Sequence, residues 1–125
     1  RLPHVDGTDH RQIALMLYLH ETSHGGTAFF RHKRSGYESL TPSRYPEYKK
    51  QLEQDVSSLG LPAAKYVEDG GPHFEIIHTV DAVYNRAVLY RGNCFHSGII
   101  NNQSPLTPDP FVGRLTVNAF FRPQS

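Results

Sequence analysis

His4-Val5-Asp6 sets an imidazole and a carboxylate two positions apart. In an extended segment, residues i and i+2 point to one face while the residue between them points away. His4 and Asp6 would then form two corners of a metal site. A third ligand from a distant strand would complete a set of two histidines and one carboxylate, which leaves coordination positions open for small molecules. His96 is the candidate for that corner: it follows Arg91-Gly92-Asn93-Cys94-Phe95 and precedes Ser97-Gly98, where a strand gives way to a loop. His73 and His78 compete for the same role. His10, His20, His24 and His32 fall in or beside loops and are expected to face solvent. A lone H-x-D triplet recurs by chance in polar turns, so the weight rests on its company downstream.

That company includes Arg114, which opens the last alternating segment of the chain. Leu115, Val117 and Ala119 fall on one face of this segment, and Arg114, Thr116 and Asn118 on the other. Three polar side chains make a poor core, so their face is expected to line a wet or ligand-filled cavity. A guanidinium presents a planar fork that pairs with a carboxylate through two hydrogen bonds, which makes Arg114 a candidate anchor for an acidic small molecule. Arg122, at the end of the segment, reads as a surface ion-pair residue.

The elements that must position these residues are short. Residues 13–19 read as a strand buried on both faces, and residues 27–31 as a second strand, with Gly25-Gly26 breaking the chain and residues 20–24 forming a hairpin loop. Tyr45, Tyr48, Leu52, Val56 and Leu59 recur at helical steps behind Pro46, and Gly60 and Pro62 end that helix. Its expected place is on the outside of a sheet. Further strands are predicted at 74–80, 87–90, 95–98 and 115–121, with turns at 69–72 and 91–93 and a long Pro- and Asn-rich loop at 99–112. Many short strands and a single helix predict an all-β sandwich or small barrel, with jelly roll as one option.

Composition narrows the partners. At 125 residues the chain is one domain's worth, with 38% hydrophobic residues and a net charge of +1. No field of one sign argues for nucleic acid or an anionic membrane. No apolar run is long enough to span a bilayer. The single cysteine, Cys94, excludes a disulfide within the chain. With no export leader in evidence, a cytoplasmic location is expected.

Taken in order, His4-x-Asp6, the strand ending Tyr18-Leu19, Gly25-Gly26-Thr27, His96, and Arg114 in Gly113-Arg-Leu-Thr-Val117 resemble the 2-oxoglutarate-dependent, non-haem iron(II) dioxygenases. Within them the layout is most similar to the prolyl-hydroxylase-like branch and to an uncharacterised family with the same H-x-D, H and R order. The resemblance covers nearly the whole chain except residues 33–71. It implies a double-stranded β-helix, a cupin-like jelly roll with the metal inside its open end. It implies that residues 1–125 are the catalytic domain and the C-terminal part of a longer chain, incomplete at the N-terminus, with a helical insertion around 44–60 and a second insertion at 99–112 that could act as a lid. It further implies Fe(II) on His4, Asp6 and His96; 2-oxoglutarate as cosubstrate held by Arg114, with Tyr18 and Thr116 assisting; and O2 as oxidant, with hydroxylation of a small molecule or peptide and release of succinate and CO2. Met16 and Asn118 are further candidates for the cavity wall.

Two other readings stay open on the residues themselves. A jelly-roll binding module without iron would use aromatics such as Tyr37, Tyr45 and Tyr48 to contact a ligand. A cupin-like enzyme would hold zinc on the same three ligands, since imidazole and carboxylate suit zinc as well.

Overall fold

A computed structural model describes residues 2–20, 25–59, 71–99 and 115–124. The elements are β1 (Ile13–Tyr18), β2 (Thr27–His32), α1 (Tyr45–Leu59), β3 (Phe74–Val80), β4 (Ala87–Arg91), β5 (His96–Gly98) and β6 (Thr116–Phe121). They form two three-stranded antiparallel sheets, of order β4-β1-β6 and β3-β2-β5, in a sandwich-type arrangement with one helix. Among the described residues, the expectation of a mostly β fold with a single helix holds.

β1 and β2 do not pair as the expected hairpin, because they belong to different sheets; residues 21–24 lie outside the described residues. Gly25 and Gly26 make the approach to β2 possible. Gly25 has a φ of 74°, and a Cβ on Gly26 would lie 1.8 Å from the carbonyl oxygen of Val80. Only a glycine lets the backbone pass so close.

Alternation along β2 splits its side chains between two environments. Thr27 and Phe29 face the space between the sheets, where Phe29 stacks edge-on against Tyr90 of β4 at 5.4 Å. Ala28, Phe30 and His32 face the other way, beneath α1. The main apolar cluster lies on that side: Ala28, Phe30, Leu40, Tyr48, Phe74 and Phe95, with Tyr37 and Leu52 packed against it. The space between the sheets is thus left for a cavity. The helix takes its expected place, with Tyr48 and Leu52 on the sheet and Thr41 receiving the backbone N–H of Tyr45 at its start. Tyr48 is therefore a core residue, with burial pushing its phenol up to about 12, and not an exposed ligand contact. Phe74 is fully buried while Leu52 is only half-buried. Phe74→Ala is accordingly expected to cost about 3–5 kcal/mol and Leu52→Ala about 1–2 kcal/mol, measured by urea unfolding.

The other sheet differs from expectation. In β1 only Ala14 and Tyr18 are fully buried; Ile13, Leu15 and Leu17 are half-buried. Their outer face continues through Leu89, Val117 and Phe121, which are 67%, 52% and 54% exposed. Val117 on the apolar face of β6 thus points outward, and on the opposite face Asn118, itself exposed, lines the cavity, as the alternation predicted. Histidines also depart from the reading: His20 and His32, expected to face solvent, are buried, whereas His10 is exposed. His24 lies outside the described residues.

Candidate metal centre

The segment carrying His4 and Asp6 lies alongside β5. His4 and His96 exchange both backbone hydrogen bonds at 3.0 Å, and Asp6 N–H donates to the carbonyl of Gly92 at 2.7 Å. Directly opposed residues in such a pair point to the same side of the sheet. The imidazoles of His4 and His96 consequently stand side by side, ring centres 4.4 Å apart. The extended backbone puts Asp6 on the same face two residues on. The i, i+2 spacing and the late histidine thus converge as the sequence implied.

Asp6 reaches both rings. His4 Nε2 is 3.6 Å from Asp6 Oδ1 and His96 Nε2 is 3.4 Å from Asp6 Oδ2. The second contact lies within ion-pair reach but lacks hydrogen-bond geometry, so the buried Asp6 Oδ2 has no hydrogen-bond partner. An orphaned buried carboxylate oxygen is costly unless something else satisfies it. One ligand atom from each of the three residues lies within 4.8 Å of the others. Adjacent ligands about 2.1 Å from an ion sit roughly 3.0 Å apart, so the three side chains would draw closer together around an ion. The three residues therefore have the capacity to hold a divalent ion.

The supports of the ligands favour the same reading. His96 is 4% exposed, and its Nδ1 donates to the carbonyl of Cys94 at 2.8 Å, which leaves Nε2 as a lone pair aimed at Asp6. Cys94 itself offers no thiolate, because burial pushes its thiol up to about 11. Asp9, close in sequence, is engaged by the Arg11 guanidinium, which accounts for its carboxyl falling to about 2. His4, by contrast, is half exposed at its side chain, on the solvent side of the cluster.

A cavity of about 220 Å³ opens from the triad into the space between the sheets. Met16, Thr27, Tyr90, Ser97, Asn118 and Phe120 complete its walls. Met16 and Asn118 were foreseen there. Tyr18 is fully buried, and its hydroxyl meets Thr27 Oγ1 instead of opening on the cavity. Thr116 pairs with Tyr18 across the sheet and receives a 3.5 Å contact from the Asn118 amide. Neither lines the cavity. Arg114 lies outside the described residues, but its neighbour Leu115 is held: the ring of His20 contacts both the N–H and the carbonyl of Leu115, at 3.2 and 2.9 Å. Thr27, named only within Gly25-Gly26-Thr27, and Tyr90 were not given site roles from the sequence. Alternation was the available signal, since Thr27 shares a face with Phe29, and Tyr90 lies opposite Ala14 in the register of β1.

A model of the family described as a family of unknown function, DUF6445, matches residues 1–121. The chain belongs to this family. No curated protein and no solved structure matches the chain. The match to DUF6445 takes in all three triad residues and continues through Arg114 to the end of β6.

Proposed function

We propose that this chain is a non-haem iron(II)- and 2-oxoglutarate-dependent dioxygenase that hydroxylates its substrate, and that its two sheets are those of a double-stranded β-helix. The observation that carries the reading is Asp6 Oδ2, buried and without a hydrogen bond, on a carboxylate that reaches the Nε2 atoms of both His4 and His96. Two histidines and one carboxylate suit iron(II) that must keep positions open for other ligands. With 2-oxoglutarate and O2, the iron supplies the oxidising power to hydroxylate a C–H bond, with release of succinate and CO2.

The chain's own residues bind, orient and exclude. His4, Asp6 and His96 hold the ion, and the Cys94 carbonyl keeps His96 in the tautomer that can bind it. Arg114 fixes the far carboxylate of 2-oxoglutarate through its two-pronged guanidinium. Thr27 replaces Tyr18 as the hydroxyl that faces the cavity, and Tyr18 orients it from behind. Thr116 holds the Asn118 amide in place on the adjoining wall. Met16, Tyr90 and Phe120 keep the rest of the cavity apolar. At about 220 Å³ the space is smaller than drug-sized pockets of roughly 300–1,000 Å³, in keeping with a five-carbon diacid. Among the described residues no helix is long and apolar enough to cross a membrane.

The test is turnover of 2-oxoglutarate. Protein supplied with iron(II), ascorbate and air should release succinate from 2-oxoglutarate slowly even without its substrate, and chelation of the iron should stop it. Absence of succinate under these conditions from protein shown to hold iron would count against the reading.

A further inference from the structure

A pocket of about 390 Å³ adjoins the triad, lined by Asp6, Gly7, Asp9, Arg11, Gln12 and Arg122. Asp6 also belongs to the wall of the cavity between the sheets, so one metal ligand is common to both spaces. Arg122, one residue past the end of β6, continues the alternation that puts Asn118 and Phe120 on that cavity. Ile13 stands opposite Phe121 in the ladder, and the same register carried one step further sets Gln12 opposite Arg122. Gln12 is tied to the triad segment through Gly92. Its carbonyl receives the Gly92 N–H at 2.9 Å, and the Gly92 carbonyl receives the Asp6 N–H at 2.7 Å. Two glycines make room for its side chain. A Cβ on Gly92 would stand 3.3 Å from Gln12 Nε2 and 3.4 Å from Asp6 Cβ, and one on Gly7 would stand 3.0 Å from Gln12 Oε1. The Gln12 amide therefore lies next to Asp6.

Two polar groups of this pocket are uncommitted. Gln12 is 6% exposed, yet no hydrogen bond engages its side-chain amide among the described residues. Arg122, read from the sequence as an ion-pair residue, has no carboxylate partner among them either. The neighbouring charges cancel: the Arg11 guanidinium holds both oxygens of Asp9, at 3.1 and 2.9 Å. With an ion on the triad to offset Asp6, the charge left in the pocket is the Arg122 guanidinium. Its planar fork matches a carboxylate, and the Gln12 amide supplies a further donor. We propose that this pocket binds the carboxylate of a small organic acid, held by Arg122 and Gln12, with the rest of the molecule directed past Asp6 toward the metal. That this acid is the substrate rests on the oxygenase reading; the binding itself does not.

The probe is a panel of N-acetyl amino acids, which vary the body of the acid at a constant carboxylate and chelate metals weakly, with the corresponding amides as controls. Binding is measured by calorimetry to the full chain loaded with iron(II) in the absence of oxygen. The expected result is that at least one acid binds roughly 10-fold or more tightly than its amide, and that Arg122→Leu removes this advantage. Arg122→Lys should keep part of it, since the charge remains and the fork is lost. Arg122 is exposed, so its replacement leaves the fold intact, and iron(II) binding should not change. A panel in which no acid outbinds its amide would overturn the proposal, as would an Arg122→Leu protein that binds the acids as the wild type does. Failure of the oxygenase reading would register separately, as absence of succinate release, and would leave an acid-binding pocket beside a metal of other chemistry.

Discussion

Asp6→Ala is expected to abolish stabilisation by iron(II) while leaving the metal-free protein at least as stable as the wild type. Two opposed effects produce this result. Loss of a hydrogen-bonding partner one shell out from a metal typically weakens binding 10- to 100-fold, so loss of the carboxylate ligand itself should weaken it by more than about 100-fold. In the metal-free chain the same carboxylate is a liability, since Oδ2 is buried without a hydrogen bond. Thermal unfolding with chelator and with iron(II) separates the two effects. A carboxylate that served only the fold would give the reverse pattern, with the chelated variant unfolding well below the wild type. His96→Ala should also lose the metal, but it removes a buried ring packed against Tyr90 at 4.7 Å, so its chelated form should be less stable. The contrast between the two variants assigns one residue to the ion alone and the other to ion and packing together.

Arg114→Leu is expected to raise the concentration of 2-oxoglutarate needed for half-saturation by roughly 100-fold, with iron(II) affinity unchanged. Charge-assisted hydrogen bonds of the kind proposed are worth about 1.5–3 kcal/mol each, and the upper end of that range corresponds to a loss of this size. Arg114→Lys keeps the charge and loses the fork, so its effect should be smaller. The measurement is succinate release as a function of 2-oxoglutarate, with iron binding followed separately. If Arg114→Leu left half-saturation where it is in the wild type, the far carboxylate would be held by other groups, and Thr27 and Asn118 would be the next residues to replace.

Local structure was legible in the sequence because its signals are local. A strand at 74–80 and a helix starting near Pro46 follow from β-type composition between turn signals and from helical spacing, and the structure has β3 at Phe74–Val80 and α1 from Tyr45. The triad was legible for the same reason: an H-x-D pair on an extended segment fixes its own geometry, and one distant histidine completes it. Period-two alternation sorts side chains into two faces, and the polar composition of one face of β6 pointed to the cavity. In β6 the polar face looks inward because the space between the sheets is a cavity, and the apolar face is left outside. His32 was misjudged because Arg31, Lys33 and Arg34 surround it in sequence, although alternation with Ala28 and Phe30 places it under the helix. The separation of β1 from β2 is a matter of topology, and a short Gly-containing connection looks the same whether it closes a hairpin or passes between sheets.

The most direct test of the central claim is an anaerobic titration of the iron(II)-loaded protein with 2-oxoglutarate, followed in the visible spectrum. Chelation of the ion by the keto acid should produce a weak charge-transfer band that saturates at about one 2-oxoglutarate per chain and is absent from Asp6→Ala. An iron-loaded wild-type protein that develops no such band would contradict the account, leaving a metal-holding triad without an oxygenase's cosubstrate.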